Sequence, residues 1–195
     1  MFLRRFVSYI IDILFVSLLT GLLLQIRVLN PNYDNYYEAN SKVMEIYEQG
    51  VKNKNYDFMK SSEYNHLNYE LKKESLIPSI IEIIVFISYF IGFQIWNKGQ
   101  TLGKKLVRLK VVDQKDNEVK WYQLFIRTFI LYNIYAGIIG IVLINIFSER
   151  DFIKIDNYLS LISSFVFYAS AIMIILRKDG RGIPDILAKT KITSE

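Results

Sequence analysis

Residues 6–29 read FVSYIIDILFVSLLTGLLLQIRVL, an apolar run interrupted by one acid, Asp12, and one base, Arg27. A continuous apolar stretch of about 18 or more residues matches the hydrocarbon thickness of a bilayer, not a globular helix. Three further stretches, 77–96, 122–147 and 158–176, approach or meet that length, and the connections between them are polar. The hydrophobic share of this 195-residue chain, 52%, is therefore concentrated in spans instead of spread through a soluble core. The expected fold class is an all-α polytopic membrane protein with four transmembrane helices.

Arg4 and Arg5 ahead of the first run raise the alternative of a signal peptide. A signal peptide has an apolar region of about 7–15 residues and then a small-residue cleavage site. This run continues to Leu29 and offers no such site, so an uncleaved first helix is expected.

The basic residues follow a membrane topology. The connection 97–121 carries Lys98, Lys104, Lys105, Arg108, Lys110, Lys115 and Lys120 against Asp113, Asp116 and Glu118. The tail 177–195 is also basic-rich, whereas the connection 30–76 balances its lysines with acids. Cytoplasmic loops carry the excess of Lys and Arg, so both termini and the connection 97–121 are expected inside. The net charge of +5 is used in this way and points to no nucleic acid. The chain has no cysteine, and its single histidine, His66, has no second histidine as a metal partner, so no metal or cofactor is expected.

The outer connection 30–76 is too long to be structureless. Val43, Ile46, Tyr47 and Val51 recur at helical spacing, predicting an extracytoplasmic helical loop. In the inner connection, Val107, Leu109 and Val111 alternate with Arg108 and Lys110. With turn residues at 113–117 and a return over 118–121, that alternation predicts a small cytoplasmic β-hairpin.

Ionisable groups inside a span cost roughly 2.5–3.5 kcal/mol each on insertion scales and need a reason. Asp12 lies about 10 Å into the first span at the helical rise. Arg127 lies at a similar depth in the third, and Gln94 near the inner end of the second. Arg5, Ser8 and Asp12 share one helix face by their spacing. The preferred pairing is Asp12 with Arg127, with Ser8 and Gln94 close by. Two readings stay open: a buried polar clamp that fixes helix packing, or a proton or cation site. Asn133 and Asn145 are candidates for hydrogen bonds between helices.

The run Gly99-Gln100-Thr101-Leu102-Gly103-Lys104 is too specific for composition to explain. It is not a phosphate loop, which needs four residues between its glycines and Ser or Thr after the lysine. No nucleophile–histidine–acid set is available, so no catalytic residues and no enzyme activity are expected.

The run resembles the cytoplasmic segment of the RDD membrane proteins of bacteria and archaea, as do Leu106, Leu109, Val111, Val112 and Asp113 after it. Arg5, Ser8, Tyr9 and Asp12 resemble the start of that family's first helix, and Leu124 and Arg127 its third. Asp185, Ile186, Leu187, Ala188 and Thr190 resemble its terminal aspartate motif. Three positions depart from the pattern: Pro184 stands where histidine is usual, and Arg108 and Lys189 where glycine is common. Asp185 is then open to a structural role, capping a short helix after Pro184.

The resemblance implies a single membrane domain over 1–195 in a bacterial cytoplasmic membrane, and transport of ions or small solutes. An intramembrane acid with an arginine is compatible with proton coupling. The rival is a non-transporting scaffold or regulatory partner acting through the basic cytoplasmic segment. The expected partners are the lipid bilayer, a second copy of the chain, or another membrane protein.

Overall fold

The computed structural model describes residues 2–194. Its first helix, α1 (Phe2–Leu24), inverts the pattern of a soluble amphipathic helix. Ser8, Asp12, Val16 and Thr20, four residues apart, form the buried stripe, while Leu14, Leu18 and Leu22 are exposed. In lipid that arrangement is the favourable one, because leucines need no protein partner and polar groups do.

The segment after α1 is helical, as its periodicity predicts. Helices α2 (Tyr33–Lys52) and α3 (Ser62–Glu74) pack as a hairpin. Ser61 caps α3 by accepting from the Tyr64 amide at 3.1 Å. Phe58 fills the space a side chain at Gly50 would need. The next helix, α4 (Leu76–Trp96), carries a π-helical turn over Ser88–Phe93. That turn brings three consecutive residues, Tyr89, Phe90 and Ile91, into the interior.

The connection 97–120 holds the short helix α5 (Leu102–Leu106) and strand β1 (Leu109–Asp113). The predicted hairpin is corrected here. β1 pairs antiparallel with β2 (Thr190–Ser194) from the tail, with Val111 opposite Ile192. Residues 118–121 contribute only a single bridge, Val112 to Glu118. The physical reason is burial: Leu109, Val111 and Ile192 close a common core with Ile91 and Leu124. Val119 packs against this core as well, but from a loop and not from a strand.

The expected continuous span 122–147 is also corrected. It is two helices, α6 (Trp121–Leu131) and α7 (Ile134–Ile146), bent by 66°. Asn133 sits at the break with φ of 53°, a left-handed conformation that asparagine tolerates better than most residues. Among the described residues its side-chain amide makes no bond between helices, and Asn145 donates to Ile141 O of its own helix at 2.7 Å. Helix α8 (Glu149–Leu176) begins well before the expected 158, capped by Ser148. A short α9 (Ile183–Leu187) precedes β2. Among the described residues, three helices are long and apolar enough to cross a membrane, or four counting the bent pair as one span.

Candidate functional site

Asp12 is where α1 and the glycine run meet. Its Oδ1 accepts from Tyr89 Oη at 2.7 Å and from the Gly103 amide at 2.8 Å. Its Oδ2 accepts from Thr101 Oγ1 at 2.6 Å and from Ser8 Oγ at 3.4 Å. Lys104 Nζ lies 3.8 Å from the same oxygen. Gly103 is needed here because a Cβ would strike Ser8 O and lie 2.9 Å from the Asp12 carboxyl. Thr101 also accepts from the Lys104 amide at 3.3 Å, starting α5.

The rest of the run secures the turn. Gly99 has φ of +90°, and a Cβ there would collide with Val111 O. Gln94 Nε2 donates to Gly99 O at 2.9 Å, and Gln100 Nε2 to Leu109 O at 3.0 Å. Leu102 packs against the cluster of Val16, Val85, Tyr89 and Phe90. Gln94 thus serves the turn and not the acid.

The expected Asp12–Arg127 pair does not form among the described residues. Arg127 Nε donates instead to Asp185 Oδ1 at 2.8 Å, from α6 to α9. Arg5 Nη1 is 3.9 Å from Asp185 Oδ2, and its guanidinium also donates to Gly180 O and to Ile192 O. The reason is geometric: Asp12 is already filled by nearer donors, while Asp185 faces two arginines. Asp185 also accepts from the Gly182 amide and Thr190 Oγ1, each at 3.5 Å, so it caps α9 as well. Asp113 stands apart. It accepts from the Lys115 amide at 2.7 Å and from Gln123 Nε2 at 2.9 Å, and these bonds hold its carboxyl below the usual range.

Two residues escaped the reading of the sequence. Tyr89 hides in an apolar span with no spacing signal. Gln123, 3% exposed, bridges Asp113 to the carbonyls of Ala188 and Lys189. Lys104, the end of the glycine run, also counts among the basic residues of the inner connection, yet is 5% exposed. Burial lowers its pKa to about 7, with Arg127 pushing the same way and Asp12 and Asp185 opposing. His66 is exposed, and its Nδ1 lies 3.0 Å from Glu149, which with Glu70 raises its pKa.

A cavity of about 320 Å³ lies between α1, α6 and α8. Arg5, Asp12, Lys104, Arg127 and Asp185 reach it, while Phe6, Ile130, Phe167 and Ile174 are among its apolar walls. No group of three metal-ligating side chains occurs among the described residues. The arrangement can hold a charged group against lysine and arginine in water-poor surroundings, and can exchange a proton at Lys104.

Residues 1–189 match the family model described as RDD family. No curated protein and no solved structure matches the chain.

Proposed function

The chain belongs to the RDD family, and on that premise we propose that it moves ions or small solutes across a bacterial cytoplasmic membrane, coupled to protons. In this reading it is one domain of four spans, the bent pair α6–α7 counting as the third, with both termini inside. The excess of Lys and Arg in 97–121 and in the tail supports that orientation. The site is the charged end of the cavity, with Asp12 and Lys104 as the proton-handling pair.

The single observation that carries the reading is the cavity, because buried charges around an otherwise apolar space are costly unless used. Lys104 fits proton exchange better than Asp12, whose oxygens are already occupied. The test is cation-driven proton flux in inverted vesicles at matched expression. Asp12→Asn and Lys104→Gln should each reduce flux at least tenfold.

A second reading is favoured by the saturation of Asp12 itself. A carboxylate accepting from Ser8, Tyr89, Thr101 and Gly103 is what a purely structural clamp requires. The chain would then be an assembly partner whose exposed Lys98, Lys105 and Arg108 meet another membrane protein. Absence of flux from wild-type vesicles, with loss of a co-purifying protein when these three are neutralised, decides for that reading.

A further inference from the structure

We propose that the cavity between α1, α6 and α8 binds a single-chain amphiphile with one carboxylate headgroup. This narrows the reading above from ions to an anionic organic solute in the cavity, and it rests on that cavity being the ligand site. The walls argue first. A small hydrated ion would meet Phe6, Ile130, Phe167, Ala171 and Ile174 over most of its surface, with nothing to replace its water. An aliphatic chain gains from the same walls. The volume, 320 Å³, corresponds to about ten water-sized units and falls in the usual range for ligand pockets.

The charged end sets the sign of the headgroup. Arg5, Lys104 and Arg127 face Asp12 and Asp185, leaving one positive charge in excess when the lysine is protonated. That surplus repels a cation and admits one anion. Arg127 is 6% exposed and spends only Nε on Asp185. Its Nη1 and Nη2 donate to none of the described residues, which leaves half of a planar fork turned to the cavity. A carboxylate matches such a fork with two parallel hydrogen bonds. Ser170, 5% exposed, also lines the cavity, and its Oγ has no hydrogen-bond partner among the described residues. It is a further donor for the headgroup or for a water beside it.

The test uses the full chain purified in nonionic micelles, with dodecanoate as probe. Thermal unfolding should rise by several degrees with dodecanoate. Dodecanol, acetate and dodecyltrimethylammonium at the same concentration should leave it within a degree. Native mass spectrometry should find one dodecanoate per chain. Arg127→Gln should weaken binding at least tenfold, and Ala171→Phe, which fills the cavity, should abolish it.

Should either variant fail to fold, the wild-type ligand series decides alone. Equal stabilisation by dodecanol or by the cationic amphiphile overturns the proposal, as does unchanged binding in Ala171→Phe. Displacement of dodecanoate by phosphatidylglycerol at equal potency also overturns it, in favour of a two-chain lipid. Failure of these binding arms with proton flux intact removes the amphiphile and keeps transport. Binding without flux does the reverse.

Discussion

Arg127 Nε donates to Asp185 Oδ1 at 2.8 Å, joining residues 58 positions apart, with side chains only 7% and 4% exposed. Removing one member of such a pair leaves a charge buried without compensation, a loss of about 3–5 kcal/mol. Asp185→Ala should be the most damaging single change, because both Arg5 and Arg127 lose their carboxylate. A double change, Arg127→Met with Asp185→Leu, should recover the part of the loss due to Arg127 and leave the part due to Arg5. Unfolding of the purified variants in micelles measures both. A double variant as unstable as Asp185→Ala would show that the pair does more than neutralise itself.

Gly103→Ala probes the other half of the site. The added methyl would strike Ser8 O and press on the Asp12 carboxyl, with backbone on one side and a hydrogen-bonded acid on the other. Overpacking of this kind costs about 1–3 kcal/mol. The expected outcome is release of α5 from α1, read as lower amide protection at Leu102 and at position 103. Unchanged exchange would mean that the contact adjusts without breaking.

The spans were legible because bilayer thickness translates directly into a length of apolar sequence. The bend at Asn133 was not, since 122–147 reads as one long, mostly apolar run and one backbone choice carries the break. The alternation around Leu109 announced a strand, but its partner, Thr190–Ser194, is short and polar except for Ile192. Asp12 and Arg127 stand out in the sequence as ionisable residues in apolar stretches, and both are buried. Their partners depend on how distant segments meet: Tyr89 and Gly103 lie 77 and 91 positions from Asp12. No local pattern encodes that.

Lys104 makes stability depend on pH in an unusual direction. Its pKa falls from 10.5 unfolded to about 7 in the fold, chiefly through burial. Between those values the unfolded chain binds more protons, so stability should rise with pH from about 7 toward 10.5. Below 7 the penalty for burying the charge is fully present. Lys104→Gln should flatten this part of the pH profile of unfolding. Identical slopes in wild type and variant would exclude the lysine as its source.

His66 works the opposite way on the far side of the molecule. Its pairing with Glu149 raises the folded pKa above 6.5 and ties α3 to α8. The contribution is complete below pH 6.5 and fades as pH rises through the higher folded value. The pair is exposed, so salt should weaken it. Amide protection in α3, with exchange corrected for its intrinsic pH dependence, should be greater at pH 6 than at pH 8, and His66→Gln should remove that difference.

Arg108 and Lys189, which stand where the family commonly has glycine, have φ of 53° and 52°. Both flank the sheet, one before β1 and one before β2, and both backbones are held. Arg108 O accepts from Arg4 Nη2 at 3.1 Å, and Lys189 O from Gln123 Nε2 at 3.1 Å and the Gln114 amide at 3.0 Å. A residue with a Cβ is strained in this conformation by roughly 1–2 kcal/mol, and glycine is not. Glycine also loses more conformational freedom on folding, which offsets part of the gain. Arg108→Gly and Lys189→Gly should therefore each stabilise by about 0.5–1 kcal/mol, and nearly additively, since they act on different strands. Thermal unfolding of the two single variants and the double measures this. Destabilisation by either would mean that its side chain makes a contact worth more than the strain.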